Sequence, residues 1–473
     1  MAYNREADIS SRLCQHLRLA IFASVLAVAG CSSTPIEVAE MSAALSAELT
    51  ADADMAVEPV LLSEGFVAAV LQAVETNGGY RAIFAQEQAA FSRVGVSESV
   101  RRPQLSADAS LGGLREFDAG GTTTTGLSAG ISLSQLIYDG GESTSAINRS
   151  TAEALGKRAE RETQANVLAL QVARSWIDVW QFEQRLDLLR SRTSELESMV
   201  AQMERMAANG FADRAALDSA RRQIVDVRLE ETRLQTNLAE ARVRFRQYFR
   251  QEPVSLSLPP ETITPSVARA QALNWQTSPS LEMRAASVIA ARHAVMEIEA
   301  SFGPRIRLQT GVRTPLDRAD PATSNLGLGF DYNVLDGGRR VHQLEAAIAQ
   351  RVAAEDQLRD EQTTLEAELA ADVERLAGIE SSMPLVADQV RLSASEAEIS
   401  RSQITTGQST LRQLVEAEID NYRAQDRQIA MRAERQVLLL TIAARTGELG
   451  RMIGLKTGYP AEESDEFTLA SRD

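Results

Sequence analysis

The sequence predicts a mainly α-helical protein with a small β portion of four strands to a chain. Three observations lead there. Long proline-free stretches carry apolar residues at spacings of three, four and seven, four short segments alternate strictly between apolar and polar residues, and the whole arrangement occurs twice. Tyr138-Asp139-Gly140-Gly141 returns as Leu335-Asp336-Gly337-Gly338, so Asp139 and Asp336 are 197 residues apart. Gly210 returns as Gly407 at the same offset of 197. Equal offsets require equal helix lengths between the two landmarks in each half.

At the N-terminus, Arg5, Arg12 and Arg18 precede an apolar run from Leu19 to Ala29, followed by Gly30-Cys31. A basic flank, an apolar core too short to span and small residues before a cleavage point mark residues 1–30 as a signal peptide. Val28-Ala29-Gly30-Cys31 resembles a bacterial lipobox, which implies acylation of Cys31, palmitate included, and a lipidated segment over 31–62. Ser32 after the cysteine is similar to lipoproteins sorted to the outer membrane. Removal of Cys14 with the signal leaves Cys31 alone, so no intramolecular disulfide holds the mature fold.

The first repeat is expected over 63–250. A helix from Ser63 to Val100, interrupted at Asn77-Gly78-Gly79, leads into two strands. Leu105, Ala107, Ala109 and Leu111 alternate with Gln104, Ser106, Asp108 and Ser110; Leu127, Ala129, Ile131 and Leu133 alternate with Ser128, Gly130, Ser132 and Ser134. Asp139, Gly140 and Gly141 mark the strand-to-helix turn, the aspartate capping free amides while the glycines let the chain bend. From Gly141 to Gly210 no proline occurs, and Leu168, Val172, Trp176, Val179, Leu186, Leu189, Leu196, Val200 and Met203 keep helical spacing. At 1.5 Å per residue such a helix runs roughly 100 Å. Gly210 supplies the reversal. Leu217, Ile224, Val227, Leu234, Leu238, Ala241 and Phe245 then repeat about every 3.5 residues per turn, the period of left-handed supercoiled packing.

The proline-rich stretch from Glu252 to Pro260 places a linker at 251–265. The second repeat, 266–447, follows the same plan. A helix from Ser266 to Phe302 is broken at Ser278-Pro279; strands place Ile306, Leu308 and Val312, then Leu326, Leu328, Phe330, Tyr332 and Val334, on one face. Asp336, Gly337 and Gly338 make the second strand-to-helix turn, and Gly407 the second reversal. Pro384 is expected to kink or divide the long helix. Residues 448–473, acidic at Glu462-Glu463, read as a flexible tail.

Strict alternation suits either a hairpin on a soluble core or a membrane-barrel stave. Four matching strands beside an envelope signal favour the barrel. Four strands cannot close one, and an open sheet in lipid leaves edge amides and carbonyls unpaired, each costing several kcal/mol. Several copies must therefore share one wall, with three or four leaving an open lumen.

The duplicated strand pairs, the Asp-Gly-Gly closures, the long helices and the glycine turns together resemble the TolC-type outer-membrane efflux protein family, from Ser63 to Gly447. The resemblance implies a homotrimer in which each chain gives four strands to a shared transmembrane β-barrel and its long coiled helices to a periplasmic α-helical tunnel with an equatorial belt. It also implies partners: a periplasmic adaptor and an inner-membrane pump or ABC exporter, as in tripartite efflux or type I secretion. The conduit would be passive, in the outer membrane, with its helices in the periplasm. In the family, carboxylates often narrow the tunnel entrance six and nine positions after the second glycine turn. Here those positions hold Gln413 and Glu416, one amide and one acid.

Other chemistry finds little footing. A formal charge of −16 offers no basic face for nucleic acid. His293 and His342 stand apart from any ligand set, and no phosphate loop or nucleophile elbow occurs. No catalytic residue, metal site or cofactor is expected. A periplasmic coiled-coil adaptor or envelope scaffold also uses long helical hairpins and is the competing reading.

Overall fold

The computed structural model describes residues 38–51, 59–115, 123–208, 214–259, 267–314, 321–405 and 410–455. The chain divides into two units, Met1–Glu58 and Pro59–Asp473. In the first, the described part is one helix, α1 (Val38–Ala51), exposed throughout residues 40–48.

The second unit carries the repeats. Helices α2 (Phe66–Glu75) and α3 (Gly78–Ser99) lead to strands β1 (Gln104–Arg115) and β2 (Thr123–Tyr138), then the long α4 (Glu142–Ala208) and the returning α5 (Arg214–Phe249). The second series is α6 (Val267–Ala272), α7 (Pro279–Ala300), β3 (Arg305–Arg313), β4 (Thr323–Asp331), α8 (Arg339–Thr405), α9 (Leu411–Arg445) and the short α10 (Glu448–Met452). Both long helices have 67 residues, and α8 begins and ends 197 positions after α4. Upstream of the strands the repeats align differently, with the 22-residue α3 and α7 starting 201 positions apart. The four-residue difference lies in the shorter second strand pair.

The break at Asn77 is a helix cap: its Oδ1 accepts from the amides of Gly79 (2.9 Å) and Tyr80 (3.3 Å). The break at Ser278-Pro279 starts α7 differently: the proline sits where no helical donor is needed, and the Ser278 hydroxyl donates to the Arg445 carbonyl at 2.7 Å instead of capping the helix.

The core follows the periodic residues. Val172, Trp176, Val179, Leu186, Leu189 and Leu196 of α4 are buried against Val227, Leu234, Leu238, Ala241 and Phe245 of α5. At the middle of α4, Trp176 meets Phe66 edge-on at 5.5 Å and Phe249 at 5.7 Å, while Phe245 and Phe249 stack at 4.3 Å. The Trp176 indole N–H donates to the Ser257 carbonyl at 2.7 Å, so the linker packs on the belt of the helices. Residues 448–455, expected to begin the flexible tail, are docked here instead. Leu449, Ile453 and Leu455 are buried, and the Gly450 amide donates to Asn166 Oδ1 at 2.8 Å. Their apolar spacing gives them a surface to bury.

Pro384 does not divide α8, which continues from Arg339 to Thr405. Proline removes one helical hydrogen bond at a cost of about 3 kcal/mol. Burial offsets it: Met383 packs on the cluster of Leu369, Leu376, Ile379, Leu438, Leu439 and Ile442, each such side chain contributing about 1.5–3 kcal/mol.

Candidate functional site

The strands form one antiparallel sheet in the order β1-β2-β3-β4. Its register gathers the alternating residues. Leu105 lies opposite Leu133, Ala107 opposite Ile131 and Leu111 opposite Leu127; Ile131 then faces Val312, and Ile306 and Leu308 face Phe330 and Leu328. These apolar residues share one face, and among the described residues nothing covers it: Leu105 is 72% exposed, Leu328 70% and Phe330 67%. A soluble hairpin pair would have buried them. A bulge between Leu136 and Tyr138 shifts the parity of β2, so Tyr138 joins the apolar face opposite Ile306.

The opposite face is polar. Ser106 and Ser132 hydrogen-bond at 2.8 Å, Arg313 pairs with Asp108 at 2.8 Å, and Arg305 takes both oxygens of Glu142. Glycines 130, 311, 327 and 329 leave room along this wall; at Gly311 a β-carbon would come within 2.9 Å of the Ile131 carbonyl. Strand β4 ends at Asp331, short of the expected Val334, because Pro304 precedes β3 and offers no donor to extend the ladder.

Below the sheet, Asp139 Oδ1 accepts from the Gly141 amide (3.0 Å) and Oδ2 from the Ser143 amide (2.7 Å). Asp336 repeats this with Gly338 (3.1 Å) and Arg340 (3.3 Å), and binds the Arg340 guanidinium besides. Gly140, Gly141, Gly337 and Gly338 all adopt positive φ, between +67° and +95°.

Gly210, Gly407 and Cys31 lie outside the described residues. Gln413 closes a capping box on α9: its amide donates to Thr410 Oγ1 (3.3 Å) and its side chain accepts from the Thr410 amide (2.9 Å). An amide at this position thus has a local task. Glu416, half exposed, pairs with Arg412 at 3.2 Å and borders a groove with Asp226, Glu230, Asp420 and Arg423.

The structure adds Glu418, which sequence reasoning missed. It is buried and holds Arg192 of α4 (3.2 Å) and Arg401 of α8 (2.5 Å). Its signal was an acid on the apolar stripe of Leu414, Val415, Ile419 and Tyr422. Arg185 of α4 clamps Asp426 of α9 through two bonds of 2.6 and 3.0 Å. A further pair, Glu87 with Arg161 at 2.5 Å, is fully buried and joins α3 to α4. Among the described residues no cluster of His, Cys, Asp or Glu fit for a metal occurs, and no helix is long and apolar enough to cross a membrane.

A sheet with an apolar outer face and a polar inner one, set on two helices each about 100 Å long, defines a class: outer-membrane channels with a helical tunnel beneath a strand wall. The chain belongs to the outer membrane efflux protein family, whose model matches residues 72–249 and 271–448. It is an outer-membrane efflux channel protein. Solved structures share the fold. The channel-forming CusC is 17% identical with a TM-score of 0.70, over 82% of this chain and 92% of that one. VceC, an outer membrane protein of Vibrio cholerae, is 14% identical with a TM-score of 0.70, over 82% and 97%. The open state of the MtrE outer membrane channel of Neisseria gonorrhoeae is 14% identical with a TM-score of 0.67, over 83% and 91%. No curated protein matches the sequence.

Proposed function

We propose that three copies of this chain close a twelve-stranded barrel in the outer membrane and continue it as a periplasmic tunnel, tethered by acylated Cys31. The observation that carries this is the sheet itself: among the described residues its edges β1 and β4 are unpaired and its apolar face is bare. In a meander of four strands the two edges run antiparallel, so β4 of one copy pairs with β1 of the next by a head-to-tail contact that closes into a ring.

Each chain then acts without bond chemistry, as a passive path from periplasm to exterior. A periplasmic adaptor meets the helix tips, and an inner-membrane pump or ABC exporter supplies the energy. Gly210 and Gly407 form those tips, and Glu416 contributes a ring of three carboxylates that favours cations at the entrance, while Gln413 serves the helix start. The repeat boundaries, 63–250 and 266–447, are the units of this assembly.

The protein extracted from outer membranes is expected to run as a trimer on mild SDS gels, to fall to monomer on boiling, and to conduct in planar bilayers. Glu416→Gln lowers its cation preference. A soluble, non-conducting monomer sinks the proposal and favours the scaffold reading.

A further inference from the structure

The subunit seam of the tunnel can be read from the repeat. In the half of the tunnel away from the sheet, α4 packs on α5 and on α9, and α9 packs on α8. The palisade therefore runs α5, α4, α9, α8, with α5 and α8 as its free flanks. Both flanks carry bare aliphatic side chains: Val225 (55% exposed) and Leu229 on α5, and Leu385 (69% exposed), Leu392 and Ile399 at heptad spacing on α8.

The seam inside the chain supplies a template. Along α4 and α9, Arg185 meets Asp426 and Arg192 meets Glu418. The repeat offset of 197 residues carries α4 onto α8 and α9 back onto α5. Position 185 becomes Ser382 and 426 becomes Leu229; 192 becomes Gln389 and 418 becomes Arg221. Midway between these crossings lie Leu385 and Val225, each bare on its flank. Beside them stand Asp388 on α8, which pairs with Arg391 of its own helix at 3.2 Å, and Arg222 on α5, opposite in sign. Among the described residues Arg222 has no carboxylate within ion-pair distance.

We propose that α8 of one copy docks on α5 of the next as α4 docks on α9 within the chain, with Leu385 against Val225 and Asp388 beside Arg222. The occupant of the bare flank is a second copy of this chain, because only that copy carries the matching flank at the matching height. This rests on the trimeric reading above and gives it residues. It also distinguishes the two seams. The seam within the chain is held by two buried or half-buried ion pairs, whereas their equivalents between chains, Ser382 with Leu229 and Gln389 with Arg221, make none. Contact between subunits is thus aliphatic, flanked by one exposed charge pair.

Cys31 is the one cysteine of the chain after the signal segment, so cross-linking is clean. Full-length protein carrying Leu385→Cys and Val225→Cys, oxidised in the membrane, is expected to give covalent dimer and trimer after boiling without reductant. Either substitution alone gives monomer. A non-covalent trimer that the double variant leaves uncross-linked overturns the seam while sparing the trimer; a wild type that is monomeric before heating overturns both. Charge reversal is the second arm: Asp388→Arg or Arg222→Glu lowers the temperature at which the trimer dissociates, and the two together restore it. Additive losses in the double variant count against the pairing.

Discussion

Asp178 lies on α4 between buried residues, with Arg174 and Arg244 as its nearest cations. Burial pushes its carboxyl above the ordinary range, and the two arginines pull it back only in part. A carboxyl whose folded pKa is raised contributes most to stability below its unfolded pKa, and that contribution is lost as pH rises through the folded value. At neutral pH the charge is therefore a net cost. Asp178→Asn is expected to raise the melting temperature at pH 7, followed by circular dichroism, and the gain should vanish below about pH 3.5, where both states are protonated. Trp176 illustrates a different balance at the same scale. Its position on the helical stripe announced burial, but its hydrogen bond to the Ser257 carbonyl joins residues 81 apart and had no local signal.

Turns and interruptions decide the behaviour of whole elements. Gly447 ends α9 in the left-handed conformation, with φ +75°, and a β-carbon there would sit 2.6 Å from Cδ of Pro279. The rigid proline ring cannot yield, so Gly447→Ala should cost more than the roughly 1–2 kcal/mol of the left-handed backbone alone. Urea unfolding would show it as a lowered midpoint with an unchanged slope. Pro384 predicts the reverse. Pro384→Ala restores the missing helical bond, and an increase in stability of up to about 3 kcal/mol is expected in the same assay. The helices themselves were legible to within a few residues, since periodicity, the Asp-Gly-Gly pairs and the glycine landmarks are local features. Continuity of α8 through Pro384 and docking of residues 448–455 were not, because both depend on apolar partners supplied by distant segments.

For the whole molecule, the parity of the strands is the sharpest test. Leu328 and Gly327 are neighbours on β4, yet the register sets them on opposite faces. Leu328→Lys places a charge on the bare aliphatic side and should cost about 2–4 kcal/mol at mid-membrane, seen as loss of heat-modifiable trimer. Gly327→Lys meets open space on the polar side and should assemble. If both variants assembled alike, the aliphatic face would not be in lipid.

By itself the sequence determined the two repeats, the helix periods and the strand alternation, because each is written in spacing along the chain. Only the tertiary structure decided the register that sorts the strand faces, the buried pairing of Glu418 with Arg192 and Arg401, and the flanks that the helices leave bare. Those depend on which distant residues meet, and a side chain's charge or shape carries no record of its partner until packing brings the two together.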